Sequence, residues 1–270
     1  MKKEADVHSD KQQIYNRDYF ETRLKTASQP YSYNNKRRHF EIVLNTLAQL
    51  KPKKVLDIGC AKGFLVYLFN QTGIQSYGMN VSRYAIENAP DKIKNRLSVV
   101  NIENDRFPYE EKYFDLIIGL DTLEHLGNFK NMLKECDRVL RKGGYLFFTT
   151  PVPRSWDATH DITHINIHPR VFWIKLFREY GFLPLDRESY SKLIREFVKN
   201  YKKIISLAPS DRHIIKFLSK FGWLGKFIRR ELQVYVNFCN SSALGSKRVT
   251  ARSVSDEAVF KRLLRKKRSQ

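Results

Sequence analysis

Asp121, Glu124 and His125 stand close together in DTLEHL, and His160, His164 and His168 follow in WDATHDITHINIHP. Four of the seven histidines therefore fall between Glu124 and His168. Carboxylates and imidazoles gathered in this way support two kinds of chemistry. A histidine that is neutral near pH 7 can take the proton of a hydroxyl nucleophile, worth about 10²–10⁴ in rate. Two carboxylates with imidazoles can instead hold a divalent cation such as Mg²⁺ or Zn²⁺. A third reading is local structure, with Glu124 capping the next helix and His125 packed against Asp121. For proton transfer, His164 is the first candidate, His125 the second, and Glu124 or Asp121 the orienting partner. His168 reads as a neighbour of a helix N-cap.

A second constellation lies upstream, in KKVLDIGCAKGFLVYLF, Lys53 to Phe69. Asp57, Gly59 and Gly63 sit where an apolar strand hands over to an apolar helix. Glycine there permits φ > 0 and a close approach of backbone to ligand. The dinucleotide pattern G-x-G-x-x-G fails, because Ala61 and Phe64 occupy the second and third glycine positions. D-x-G-x-x-x-G fits. A carboxylate beside the turn repels a pyrophosphate and attracts an ammonium or a sulfonium, so the cofactor expected is cationic, as S-adenosylmethionine is.

The elements that must position these residues alternate. Strands are expected at 54–58, 75–80, 96–101, 114–120, 144–150 and 182–186. Helices are expected at 35–50, 62–71, 82–89, 128–140 and 168–180, with Ser82 as a cap, Pro169 in a first turn and Gly181 just past an end. The strands are continuously apolar, which fits a parallel sheet covered on both faces. ELQVYVNF (231–238) restores strand alternation, with Leu232, Val234, Val236 and Phe238 on one side. The expected fold is α/β: a seven-stranded, mostly parallel, doubly wound sheet with its last strand antiparallel and a helical insertion between strands six and seven. The domain boundaries follow as a cap segment at 1–34, a core at 35–188, the insertion at 189–230, a returning strand at 231–240 and a tail at 241–270. In such a fold both constellations open on the carboxyl rim of the sheet, where ligands bind.

From Tyr15 to Gly181 the sequence resembles the class I S-adenosylmethionine-dependent methyltransferases, near the type-11 methyltransferase domain. VLDIGCAKGFL is similar to the first motif of that family, GMNVSRYAIENA to the second, RFPYEEKYFDLIIGLDTLEHL to the fourth and VLRKGGYLFFTTP to the fifth. The resemblance implies that Asp57 and the backbone from Gly59 to Gly63 hold the methionine end of the cofactor. Asn80 stands where the family usually has an acid on the ribose hydroxyls, and Cys60 and Ala61 replace more usual small residues. Asn101 and Ile102 would face the adenine edge, and Leu120 would close the floor. Asp121, Glu124, His125 and His164 are also similar to the E-x-x-E-H set that binds a divalent ion in some family members, with an aspartate in place of the first glutamate. The N-P-P-Y type motif of base-amino methyltransferases is absent.

The net charge is +21, and residues 189–270 carry +15 of it. Any anionic partner belongs there. RHIIKFLSKFGWLGKFIRR (212–230) spaces its apolar residues as an amphipathic helix does. Three readings stand: a layer helix with a solvated basic face, an interfacial helix on anionic lipid, and a nucleic-acid contact. Three separated cysteines and no CxxC pair fit a reducing compartment and no zinc site of that kind. The opening MKKEADVHSDKQQ lacks the apolar core of a secretory signal, and no apolar run reaches the ~18 residues of a membrane span. A cytoplasmic protein, peripheral at a membrane surface, is expected. The function expected is methyl transfer to an oxygen of a small-molecule, glycan or lipid-linked acceptor. An RNA 2′-O-methyltransferase and a non-catalytic cofactor-binding scaffold are the alternatives.

Overall fold

The computed structural model of the protein describes residues 11–23, 31–151, 153, 161, 163–206 and 236–240. Its elements in chain order are α1 (Tyr33–Leu47), β1 (Lys54–Ile58), α2 (Phe64–Gln71), β2 (Gln75–Asn80), α3 (Arg83–Glu87), β3 (Leu97–Val99), β4 (Phe114–Gly119), α4 (Lys130–Val139), β5 (Leu140–Phe148), α5 (Arg170–Glu179), β6 (Phe182–Pro184), α6 (Arg187–Ser206) and β7 (Val236–Asn240). A π-helical turn, Tyr19–Arg23, precedes α1.

Five strands run parallel in the order β3-β2-β1-β4-β5. β7 pairs antiparallel with both β5 and β6. The order reverses between β1 and β4. A crevice therefore opens beyond their carboxyl ends, and the segments after these two strands meet there.

The strands are apolar on both faces because both are covered. Leu56 and Ile58 of β1, Ile117 of β4 and Phe148 of β5 pack with Leu133 and Cys136 of α4 and Trp173 and Phe177 of α5. The alternate residues Val55, Leu116, Ile118 and Phe147 face Phe40, Leu44 and Leu47 of α1 and Leu65 and Phe69 of α2. Each such fully buried side chain contributes about 1.5–3 kcal/mol relative to exposure. Ser82 caps α3 by accepting from Ala85 N at 3.1 Å, and Gly181 follows α5 at φ +85°. The RKGG stretch does not separate helix from strand. It bulges within β5, between the pairings Phe114–Leu140 and Leu116–Tyr145.

α6 starts directly after β6, and its Ile194 and Phe197 are buried in the same layer as α1. The first part of the basic stretch that begins at Ser189 is thus a covering helix of the core. The rest of that stretch, 207–230, lies outside the described residues, as do 231–235 and the tail 241–270. Among the described residues no helix is long and apolar enough to cross a membrane.

Candidate active site

Gly59 and Gly63 adopt φ +74° and +69°, and Ala61 between them takes φ +49°. Their lack of a side chain answers to protein neighbours. A Cβ on Gly59 would collide with the Thr122 side chain, and one on Gly63 would lie 2.7 Å from Ile93 and 2.8 Å from Leu97. Several amides of the turn are spent within the fold. Gly59 N and Cys60 N donate to Met79 O at 2.8 and 3.0 Å, and Gly63 N donates to Cys60 O at 2.8 Å. Of the five amides from Gly59 to Gly63, those of Ala61 and Lys62 have no backbone partner among the described residues.

Asp57 is 4% exposed. Burial pushes its carboxyl up to about 8, because a charge in a low-dielectric site is costly without a partner. Among the described residues no cation pairs with it, so a positively charged ligand would complete the site. Asn101 is buried, and its Nδ2 has no hydrogen-bond partner among the described residues, while its Oδ1 accepts from Glu103 N at 3.2 Å. That leaves a buried donor at the end of β3, suited to a ring nitrogen. Asn80 Oδ1 accepts from Ser82 N at 2.7 Å, so the oxygen shapes the turn after β2 and the side-chain amide is the group left for a ribose. Cys60 is buried, and Leu120 is half-buried against the α1 side of the sheet. Ile102 packs into the core on the α4 side.

An N-terminal strap crosses these strand ends. Lys11 pairs with Glu103. Gln12 Nε2 donates to Val81 O at 2.5 Å, and Gln12 Oε1 accepts from Arg83 N at 3.0 Å. Ser82 Oγ donates to Tyr15 O at 2.5 Å. At the far end Glu21 accepts from Lys62 Nζ at 2.6 Å and from the Tyr84 hydroxyl at 2.9 Å.

The second constellation follows β4. Glu124 is wholly buried; the Thr150 hydroxyl lies beside its carboxyl, but neither carboxyl oxygen has a well-aligned hydrogen-bond partner among the described residues. Burial, and then the nearby Asp121, hold its carboxyl well above the usual range. The Glu124 carbonyl accepts from both Ile165 N and Asn166 N at 2.9 Å. This backbone clamp carries His164 to His125, with ring centroids 4.8 Å apart. Glu124, His125 and His164 each offer a ligand atom, all within 4.8 Å of one another. Burial and the neighbouring His164 press the His125 imidazole down to about 4, so the ring is neutral at pH 7. Tyr15 of the strap meets it edge-on at 5.9 Å.

Three expectations are corrected here. Asp121 is not in the cluster: it is exposed at φ +47°, and its Oδ1 accepts from Thr149 Oγ1 at 2.9 Å. Glu124 makes no cap bond among the described residues, where the N-cap residue of α4, Phe129, makes no side-chain cap bond either; Glu103 instead holds the loop before α4, accepting from Gly127 N at 2.5 Å and Asn128 N at 2.9 Å. His125 leans on Thr163 rather than Asp121. His168 stacks on Phe172 at 3.8 Å, and His160 lies outside the described residues. Tyr15, Glu21, Asp161 and the Thr163 hydroxyl escaped the sequence reading. Lys62 could have been singled out, since it lies inside the glycine motif.

A family model described as Methyltransferase domain matches residues 31–185. The chain belongs to the class I S-adenosylmethionine-dependent methyltransferases. It is 34% identical over 107 residues to Methyltransferase GfsG of Streptomyces halstedii, a match covering 37% of this chain and 38% of that protein. To the ubiquinone biosynthesis O-methyltransferase of Acinetobacter baylyi it is 26% identical over 155 residues, covering 54% of this chain and 59% of the relative. The chain thus spans less than two thirds of the length of these curated relatives. A solved structure of a candidate sarcosine dimethylglycine methyltransferase from Galdieria sulphuraria superposes with a TM-score of 0.51 at 18% identity, covering 87% of this methyltransferase and 98% of that chain. This last likeness concerns the fold alone.

Proposed function

We propose that this methyltransferase moves a methyl group from S-adenosylmethionine to an oxygen of a small-molecule, glycan or lipid-linked acceptor. The observation that carries the reading is the buried, unpartnered Glu124 carboxyl packed with His125 and His164, across the crevice from Asp57 and the glycine turn. The cofactor fits the residues present: a buried carboxyl awaiting a cation, and a buried Asn101 amide awaiting an acceptor. Two matched relatives are named O-methyltransferases, one of ubiquinone biosynthesis and one, from Legionella pneumophila, of malonyl-[acyl-carrier protein].

Methyl transfer is an in-line displacement, and alignment of acceptor and methyl contributes about 7 kcal/mol or more. As the new C–O bond forms, the C–S bond breaks and its electron pair returns to sulfur as a neutral thioether. The hydroxyl proton passes to an imidazole. His125, neutral at pH 7, can receive it. The strap lies over the strand ends beside the glycine turn. Glu124, His125 and His164 also fit a divalent cation, with one carboxylate and two imidazoles converging, and Asp121 is left out of that set. Such an ion, when bound, would supply Lewis acidity at the acceptor oxygen.

Calorimetry with S-adenosylmethionine, followed by a hydroxyl-acceptor screen with and without chelator, tests the reading. Uptake and turnover on an oxygen acceptor support it, and no uptake sinks it. Uptake without turnover on any acceptor favours the scaffold. The RNA alternative predicts salt-dependent RNA binding. It is tested by removing 241–270 only, because a cut at 189 would strip α6 and β7 from the core. The same proposal puts the protein in the cytoplasm, touching anionic membrane through its basic C-terminal third. Flotation with phosphatidylserine vesicles, against neutral vesicles, tests that.

A further inference from the structure

Among the described residues, His125 Nδ1 has two hydrogen-bond neighbours, both from Thr163. The Thr163 hydroxyl oxygen lies 3.0 Å away and the Thr163 carbonyl oxygen 3.2 Å away. A carbonyl oxygen only accepts. An unprotonated Nδ1 would therefore set lone pair against lone pair at that distance.

The hydroxyl has a prior commitment. Thr163 Oγ1 donates to Asp161 Oδ1 at 2.6 Å, and Thr163 N donates to the same oxygen at 2.8 Å. An ionised carboxylate has no proton to give, so the hydroxyl hydrogen points to Asp161 and the Oγ1 lone pairs face donors: Nδ1 and the hydroxyls of Tyr15 and Tyr19. Asp161 lies beneath the second imidazole as well, with Oδ2 3.8 Å from His164 Nε2.

We propose that Asp161 and Thr163 are positioning residues that lock His125 in the Nδ1–H tautomer, so that its Nε2 lone pair is the one offered to the acceptor hydroxyl or to a cation beside Glu124 and His164. A ring nitrogen is set in this way wherever an outer carboxylate or carbonyl fixes the proton on the far side of an imidazole.

The lock belongs to the protein alone, while its catalytic use rests on the function proposed above. The test therefore begins without cofactor or acceptor. Long-range ¹H–¹⁵N correlation spectra of histidine-labelled protein at pH 7.5, with the His125 signals assigned from H125N, should show protonated Nδ1 and bare Nε2. In Asp161→Asn the amide can donate to Thr163 Oγ1 and turn the hydroxyl toward Nδ1, leaving the Thr163 carbonyl alone to hold the proton there, so a share of Nε2–H form should appear beside the Nδ1–H form. T163V removes the hydroxyl and should loosen the preference, whereas T163S keeps the wild-type pattern and shows the fold intact. On an acceptor that is turned over, D161N should lower kcat about 10- to 100-fold and leave the KM for S-adenosylmethionine unchanged. An Nε2–H signature in the wild type, or a D161N spectrum identical to it, overturns the proposal. Failure of the chain to bind S-adenosylmethionine would remove the methyl-transfer reading and leave the spectra as they are.

Discussion

The Lys62 ammonium lies 2.6 Å from the Glu21 carboxylate, tying the glycine turn to the N-terminal strap. Lys62 is mostly buried, and Glu21 is about one third exposed, so solvent weakens the pair. Breaking it with E21Q or K62M should cost the closed strap about 1 kcal/mol. S-adenosylhomocysteine should then leave roughly fivefold faster. Stopped-flow displacement measures this, and an unchanged off-rate in both variants means the strap does not hold the cofactor.

Asp57 makes cofactor affinity depend on pH. Its carboxyl, pushed up to about 8 by burial, is largely protonated at pH 6.5, and a sulfonium or ammonium prefers the ionised form. Affinity should therefore rise from pH 6.5 to 8.5 in the wild type more steeply than in D57N. Comparing the two cancels the titration of the ligand's own amino group. Calorimetry at three pH values decides it, and parallel curves would clear Asp57 of the role.

Glu124 should cost stability and supply function. A buried carboxyl with no well-aligned hydrogen bond among the described residues is destabilising by about 1–3 kcal/mol. Its raised titration point means that the folded chain keeps a proton the unfolded chain has lost at neutral pH. Stability therefore falls as pH rises above the unfolded value of roughly 4.5, up to the folded one. E124L should raise the unfolding midpoint by about 3–10 °C, flatten that pH slope and lower turnover at least 100-fold. E124Q, of equal size, separates charge from packing. Scanning calorimetry at pH 6 and 8 is the measurement. A less stable E124L would show that the carboxyl is satisfied in solution.

Gly59→Ala should be severe. Its φ of +74° and the Thr122 side chain in the path of a Cβ make about 2–4 kcal/mol a fair expectation. T122G in the same chain removes the clash but not the strained φ, so partial recovery in urea unfolding apportions the two effects.

Much of this architecture was legible from β1, β4 and the second half of β5, whose short, mostly apolar runs state that both faces are covered. The glycine turn was equally plain, because Asp57 and two positive-φ glycines lie within seven residues of one another. What could not be read was anything decided across the crevice. DTLEHL shows Asp121 and Glu124 as equals, yet one is exposed and bonded to Thr149 and the other is entombed. Spacing along a short 3₁₀ turn does not say which side chain faces inward. Tyr15 and Glu21 had no periodic signal, since the strap is held by long-range contacts. Thr163 looked like any loop threonine until Asp161 and His125 bracketed it.

The paired amides of Ile165 and Asn166 on the single carbonyl of Glu124 have an evolutionary corollary. Main-chain amides survive a change of side chain, so Ile165 and Asn166 can be replaced by any residue but proline without loosening this segment from Glu124. The fold therefore tolerates drift at 165 and 166, while the side chains of Asp161 and Thr163, which touch the imidazoles, stay under tighter constraint.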